Sequence, residues 1–250
     1  MKAFYTDLDN TMIFSYKHDI GEDKICAEIY EGREISFMTP KTLKYLQQVQ
    51  EKILVVPITT RTREQYERIN LGVKPFPYAL VCNGGILLEN GEECQEWYEE
   101  SLALIEKAKE QLKLGEEILA KDPNLILDVR NIRQLFLYTK SQEPELTMAC
   151  LEKELDLSLV EVLNNGQKVY VVPKSMNKGL ALKRLQKREG FTYTISAGDS
   201  LFDVPMLEQA DFSIAPKQLA DTWEDLDCSR VMEQKGIFSE YVLEQVISCL

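Results

Sequence analysis

Apolar residues early in the chain gather in short runs that stop at polar clusters. Residues 3–8 form one such run, which closes on Asp7 and Asp9, and residues 53–58 form a second, which closes on Thr59-Thr60-Arg61. Runs of this length predict strands buried on both faces. Between them, Thr39 as N-cap and Pro40 at the first helical position open a helix whose apolar face is Leu43, Leu46 and Val49. Residues 25–30 and 34–38 read as a β-hairpin about Glu31-Gly32-Arg33. Residues 62–69 read as helix and 78–82 as a third strand, after which Asn83-Gly84-Gly85 breaks the pattern.

From residue 85 to residue 172 the rhythm changes to paired strands separated by helices. Strands are expected at 86–88 and 93–97 about Asn90-Gly91, at 125–129 and 134–139 about a turn at 130–133, and at 157–163 and 168–172. Helices are expected at 101–120 and 144–155. Strand-helix alternation then resumes with a helix at 177–187, a strand at 193–197, a short helix at 204–209, a strand at 212–214 and a terminal helix at 238–249. The pattern predicts the α/β class: a Rossmann-like parallel sheet with helices on both faces, built from residues 1–84 and 173–250, carrying an inserted α+β domain at 85–172.

Composition narrows the chemistry. A formal net charge of −12 excludes a generic nucleic-acid or anionic-membrane binder. Acidic residues at 89, 92, 93, 99 and 100 read as a solvated face. No apolar run is long enough for a membrane span, and Asp7 arrives too soon for a signal peptide, so a cytoplasmic location is expected. The six cysteines show no CxxC pair, which fits reduced thiols. His18 is the single histidine, which disfavours Ser-His-Asp and Cys-His mechanisms. Chemistry is left to carboxylates, lysine or a metal.

Ligands of open parallel sheets gather at the carboxyl ends of the strands. Asp7-Leu8-Asp9-Asn10-Thr11 closes the first strand, Thr59 the second, and Gly198-Asp199 through Asp203 the strand at 193–197, while Lys178 opens the helix that feeds that strand. Each part has an ordinary reading. DxDxT serves as a capped turn, Lys178 as a surface helix residue and Asp203 as an acid at a helix N-terminus. Their joint occurrence in one order resembles the haloacid dehalogenase (HAD) superfamily of phosphohydrolases, over essentially the whole chain. The resemblance is closest to branches with a large cap between the second and third motifs: Cof-type, sucrose-phosphate phosphatase-like and mannosyl-3-phosphoglycerate phosphatase proteins.

The resemblance implies a HAD-like core with a substrate-specificity cap. It implies Asp7 as nucleophile, Asp9 as general acid and base, and Thr59 and Lys178 as phosphoryl clamps. It further implies Mg²⁺ held around Asp7, the Asp9 carbonyl and Asp199, with Asp203 orienting metal waters or Lys178. Two positions depart from the group's pattern: Thr60 stands where Gly is usual, and Phe202 where Asn is usual. Arg61 is a candidate substrate contact or the partner of an acid such as Glu64, and Asn83 a substrate contact or a turn former. Arg130 and Arg133 are leaving-group contacts or solvated turn arginines.

The implied activity is Mg²⁺-dependent hydrolysis of a small phosphorylated metabolite, a sugar phosphate. A phosphomutase using the same aspartate, or a non-catalytic phosphometabolite-binding module, stays open. The sequence leaves the oligomeric state undetermined.

Overall fold

The computed structural model describes residues 1–223, 226 and 228–250. The chain opens with β1 (Lys2–Thr6), β2 (Phe14–Ser15), β3 (Ile25–Tyr30), β4 (Arg33–Met38), α1 (Pro40–Gln50), β5 (Leu54–Pro57), α2 (Arg63–Tyr66), β6 (Tyr78–Val81), β7 (Ile86–Glu89) and β8 (Glu92–Glu93). It continues with α3 (Gln95–Leu104), a 3-10 turn (Glu106–Ala108), α4 (Lys109–Leu119), β9 (Leu125–Ile132), β10 (Phe136–Ser141), α5 (Pro144–Glu154), β11 (Val160–Asn165) and β12 (Lys168–Pro173). It closes with α6 (Lys178–Glu189), β13 (Tyr193–Ala197), a 3-10 turn (Leu201–Asp203), α7 (Val204–Gln209), β14 (Phe212–Pro216), α8 (Lys217–Thr222), β15 (Arg230–Met232) and α9 (Phe238–Ser248). Two compact units result: Met1–Cys94 with Lys178–Leu250, and Gln95–Asn177. Among the described residues, no helix is long and apolar enough to cross a membrane.

The first unit is built on a parallel sheet in the order β15-β14-β13-β1-β5. β1 lies inside it, and Ala3, Phe4 and Tyr5 have no exposed surface. Side chains alternate across a strand. Phe4 therefore joins the core of Leu46 and Val49 from α1 and Val242 and Val246 from α9, while Tyr5 meets the ring edge of Phe191, just past α6. Helices thus cover both faces, as the pattern predicts. The Thr39 side chain accepts a bond from the Thr42 amide and caps α1. A Cβ on Gly179 would lie 2.1 Å from the Pro205 carbonyl oxygen, so glycine lets α6 and α7 meet.

Two smaller antiparallel sheets flank this core, β2-β4-β3 and β6-β7-β8. The second explains where the units divide. β7 pairs with β6 along its whole length, so residues 85–94, expected in the insert, belong to the first unit. At the other end, the Lys174 amide bonds the Leu159 carbonyl and keeps 173–177 with the second.

The second unit has an antiparallel sheet, β11-β12-β10-β9. Gly115 lets α4 lie close to it: a Cβ there would sit 3.2 Å from Leu137. Three expectations need correction. Residues 95–97 are helix, not strand, with Trp97 and Ser101 buried one turn apart on α3. The helix expected at 101–120 is interrupted at Ile105. The turn expected at 130–133 is really Arg133-Gln134, both at positive φ (52° and 61°), because β9 runs on to Ile132. Arg130 is therefore a strand residue opposite Tyr138, whereas Arg133 does lie in the turn, with its guanidinium over the Tyr98 ring.

Candidate active site

β1 ends at Thr6, and the Asp7 amide continues its ladder by bonding the Ala197 carbonyl at the end of β13. The Leu8 carbonyl then accepts from the Met12 and Ile13 amides, and Asn10 takes a positive φ of 59°. This tight turn holds Asp7, Asp9 and Thr11 at the sheet rim. Beside it, β5 runs out into Thr59, which is buried, and whose hydroxyl accepts from the Arg61 amide at 3.2 Å. Cys82, Asn83 and Gly84 all have positive φ and fold back so that the Asn83 amide bonds the Thr59 carbonyl. Asn83 is 2% exposed, and its Oδ1 has no hydrogen-bond partner. Burying such an acceptor without a partner is costly.

Lys178 opens α6 and is buried, so the surface reading is wrong. Its ammonium donates to Asp7 Oδ1 and to Asp203 Oδ1, each at 2.6 Å. The other oxygen of Asp203 accepts from the amides of Asp199 and Ser200 and from the Ser200 hydroxyl. Asp203 is thus held by four donors. A Cβ on Gly198 would fall 2.3 Å from the Asp203 Cβ, so this grip needs glycine there. Asp199 accepts from the Thr11 hydroxyl at 3.1 Å. Phe202, the unusual residue before Asp203, is buried at 8% exposure.

Ligand oxygens of Asp7, Asp199 and Asp203 all lie within 4.8 Å of one another. Three carboxylates therefore face one ammonium. Burial, with the nearby Asp203, Asp199 and Asp9 adding to it, pushes Asp7 well above the usual carboxylate range despite Lys178. Burial and then Asp203 push Asp199 up to about 7. Burial alone would lower the Lys178 pKa, but Asp203 and Asp7 outweigh it and raise the value. If all three acids are ionised, the cluster carries an excess of two negative charges, which suits one divalent cation. The donor set is all oxygen, as a hard cation prefers. Since Asp203 is already bound by Lys178 and three other donors, Asp7 and Asp199 are the carboxylates best suited to touch the ion, with Asp203 behind them.

Asp9 belongs to a different cluster. Its two oxygens accept from Arg61 Nε and Nη2, both at 2.7 Å. Arg61 is bound in turn to Glu28, a residue that no motif singled out, and Arg68 bonds the same carboxylate. The acidic partner of Arg61 at close range is thus Asp9 with Glu28. Arg130 and Arg133 belong to the second unit.

A family model described as haloacid dehalogenase-like hydrolase matches residues 92–222, just over half of the chain. The match contains Lys178, Asp199 and Asp203 and begins after Asp7, Asp9 and Thr59. No curated protein matches. Among solved structures, the sucrose-phosphatase of Synechocystis sp. PCC6803, in complex with sucrose and phosphate, is 18% identical with a TM-score of 0.65, covering 98% of this chain and 96% of that one. A HAD/COF-like hydrolase from Plasmodium vivax is 14% identical with a TM-score of 0.64, over 100% and 96%. The C-terminal domain of the C. albicans trehalose-6-phosphate phosphatase is 16% identical with a TM-score of 0.60, over 98% and 90%.

Proposed function

Because the chain belongs to the haloacid dehalogenase-like hydrolases, we propose that it is a phosphomonoester hydrolase for a small phosphorylated metabolite, a sugar phosphate, working through an aspartyl-phosphate. The observation that carries this reading is the buried Lys178 bridging Asp7 and Asp203 with Asp199 beside them. Such a cluster is costly unless it serves charge that arrives with substrate.

In the proposed reaction an Asp7 oxygen attacks phosphorus in line, forming a P–O bond to Asp7 as the P–O bond to the leaving alkoxide breaks. Asp9 gives the alkoxide its proton. A water then attacks the aspartyl-phosphate, Asp9 takes its proton, and inorganic phosphate leaves with Asp7 restored. Lys178 keeps Asp7 aimed and, with Thr59 and the amides after Asp7, offsets charge on the phosphoryl oxygens. Mg²⁺, held by Asp7, Asp199 and the Asp9 carbonyl with Asp203 behind, would supply positive charge where two anions meet. Asn83, Arg130 and Arg133 remain the proposed substrate contacts, the last two carried on residues 95–177 acting as a specificity cap, whereas Arg61, expected as another, is taken up by Asp9, Glu28 and the Gln65 carbonyl.

The test is a panel of phosphorylated sugars assayed for inorganic phosphate with and without Mg²⁺. Release that requires the cation is expected. Phosphoryl transfer between sugars without net release would point to a mutase, and no turnover together with tight binding to a non-catalytic module.

The pKa shifts add a second expectation. A carboxyl whose folded pKa is raised costs stability progressively from its unfolded value up to the folded one, and the loss is complete above it. For Asp199 that window ends at about 7. In a chelator, Asp199→Asn should therefore melt higher than the wild type, by more at about pH 7.5 than at about pH 5. With saturating Mg²⁺ the order should reverse, because the wild type alone keeps the full ligand set. A variant that melts below the wild type in chelator at the higher pH would contradict the charge excess.

A further inference from the structure

Glu28 sits in β3 next to Ala27, and both are buried. A regular strand would turn one of two neighbours outward. The ladder between β3 and β4 slips on either side of Glu28, and bulges of this kind re-aim a side chain. Here the carboxylate is turned inward. Its side chain has no exposed surface and accepts from Ser36 Oγ at 2.9 Å, from Arg68 Nε at 3.1 Å, and from Arg61 Nη1 and Nη2 at 2.9 Å each. Arg61 Nη1 also donates to the Gln65 carbonyl at 3.3 Å. With Nε and Nη2 on Asp9, all five N–H groups of the guanidinium are spoken for.

We propose that Glu28 is a positioning residue for Asp9, acting through Arg61; this rests on the acid-base role assigned to Asp9 above. A guanidinium is a rigid planar fork. One edge, Nη1 and Nη2, is fixed by a carboxylate that cannot move without leaving its buried site, and the adjoining edge, Nε and Nη2, faces Asp9. The plane set by Glu28 is thus the plane in which Asp9 is held. Asp9 must free one oxygen to reach the leaving group, and Glu28 keeps Arg61 in place while it does so. Arg68 and Ser36 anchor Glu28 in turn, and the main-chain bond from Asn70 to Ala27 ties the hairpin to the segment that carries Arg68. Burial of this charge set is no stability device in itself, since apolar residues of similar volume fill such sites as well or better.

Protonation of the leaving group matters for an alkoxide and hardly at all for p-nitrophenolate, and this difference isolates the role. In Glu28→Gln, kcat/KM on an alkyl phosphate such as glucose 6-phosphate, which reports the steps up to loss of the leaving group, is expected to fall about tenfold or more, while kcat/KM on p-nitrophenyl phosphate changes less than about twofold. Water attack on the aspartyl-phosphate, for which Asp9 is the base, is common to the two esters, so kcat itself falls for both. Equal losses of kcat/KM on the two substrates, or no loss on either, would overturn the proposal. Ser36→Ala removes one anchor of Glu28 and keeps the Glu28–Arg61 pair, so it should show the same split more weakly; a uniform effect there also counts against it. Wild-type turnover of the two esters measures the phosphatase reading itself. A crystal structure of Glu28→Gln answers independently of turnover: Asp9 and Arg61 still joined through Nε and Nη2 at the wild-type spacing would overturn the positioning role.

Discussion

Replacing Asp7 with asparagine is expected to abolish phosphate release without lowering the melting temperature. An amide has nearly the shape of the carboxylate but does not attack phosphorus, so turnover should fall by at least about four orders of magnitude, as when other nucleophiles are removed. Stability should hold, or rise in the absence of Mg²⁺. Asp7 is buried and its ionised form is disfavoured by burial and by Asp203, Asp199 and Asp9, so a neutral residue relieves repulsion that Lys178 only partly offsets. Lys178 retains Asp203 as its partner at 2.6 Å. The assay is inorganic phosphate release beside a thermal melt. Residual turnover within about tenfold of the wild type would rule out attack by Asp7.

Lys178→Met should lose both activity and stability. Methionine approximates the length of the lysine stem and fits a site that is 1% exposed, so the change isolates the charge. Asp7 and Asp203 would then be left buried without their shared cation. Breaking a buried pair by removing one partner costs about 3–5 kcal/mol, a large part of the stability of an ordinary domain. Chemical denaturation would register this as a lower midpoint with an unchanged slope. Part of the loss should return with Mg²⁺, because a cation at Asp7 and Asp199 offsets charge in the same cluster. A change within about 0.5 kcal/mol, the range of ordinary surface substitutions, would show that Lys178 does not sit between the two acids. Lys178→Arg is not expected to rescue either property, since a planar fork does not replace a compact ammonium between two carboxylates at 2.6 Å.

How far the site was legible differs residue by residue. Asp7, Asp9, Thr59 and Asp199 could be found because each closes an apolar run, and the end of a buried strand is where an open sheet presents its chemistry. Lys178 was legible as a candidate but not as a buried residue, because a lysine at a helix start looks the same in sequence whether it meets solvent or Asp203. Glu28 was illegible. The hairpin at 25–38 could be read from its turn, but the slip that turns Glu28 inward depends on how β3 pairs with β4, and a period-two pattern carries no sign of it. For Arg61 the sequence offers an acidic neighbour such as Glu64 as the alternative partner, whereas the carboxylates that grip it come from β3 and from the turn after β1. The division at 94 and 95 is hidden in the sequence for a similar reason: the change of rhythm after Gly85 is real, but β7 turns back onto β6 before the second unit begins.

The sequence by itself determined the class of the fold, most strands and helices of the core though not α8 or β15, and the strand ends that carry carboxylates. These follow from periodicity, capping and turn residues, which act between neighbours in the chain and are written there. Tertiary structure alone decided which charges meet. Lys178 and Asp7 are 171 residues apart and lie at 2.6 Å because β1 and β13 are adjacent in the sheet. Asp9 meets Arg61 across 52 residues, and Arg61 meets Glu28 across 33. Electrostatic partnership depends on distance in space and on burial, and neither is fixed until strands from distant parts of the chain have taken their places beside one another.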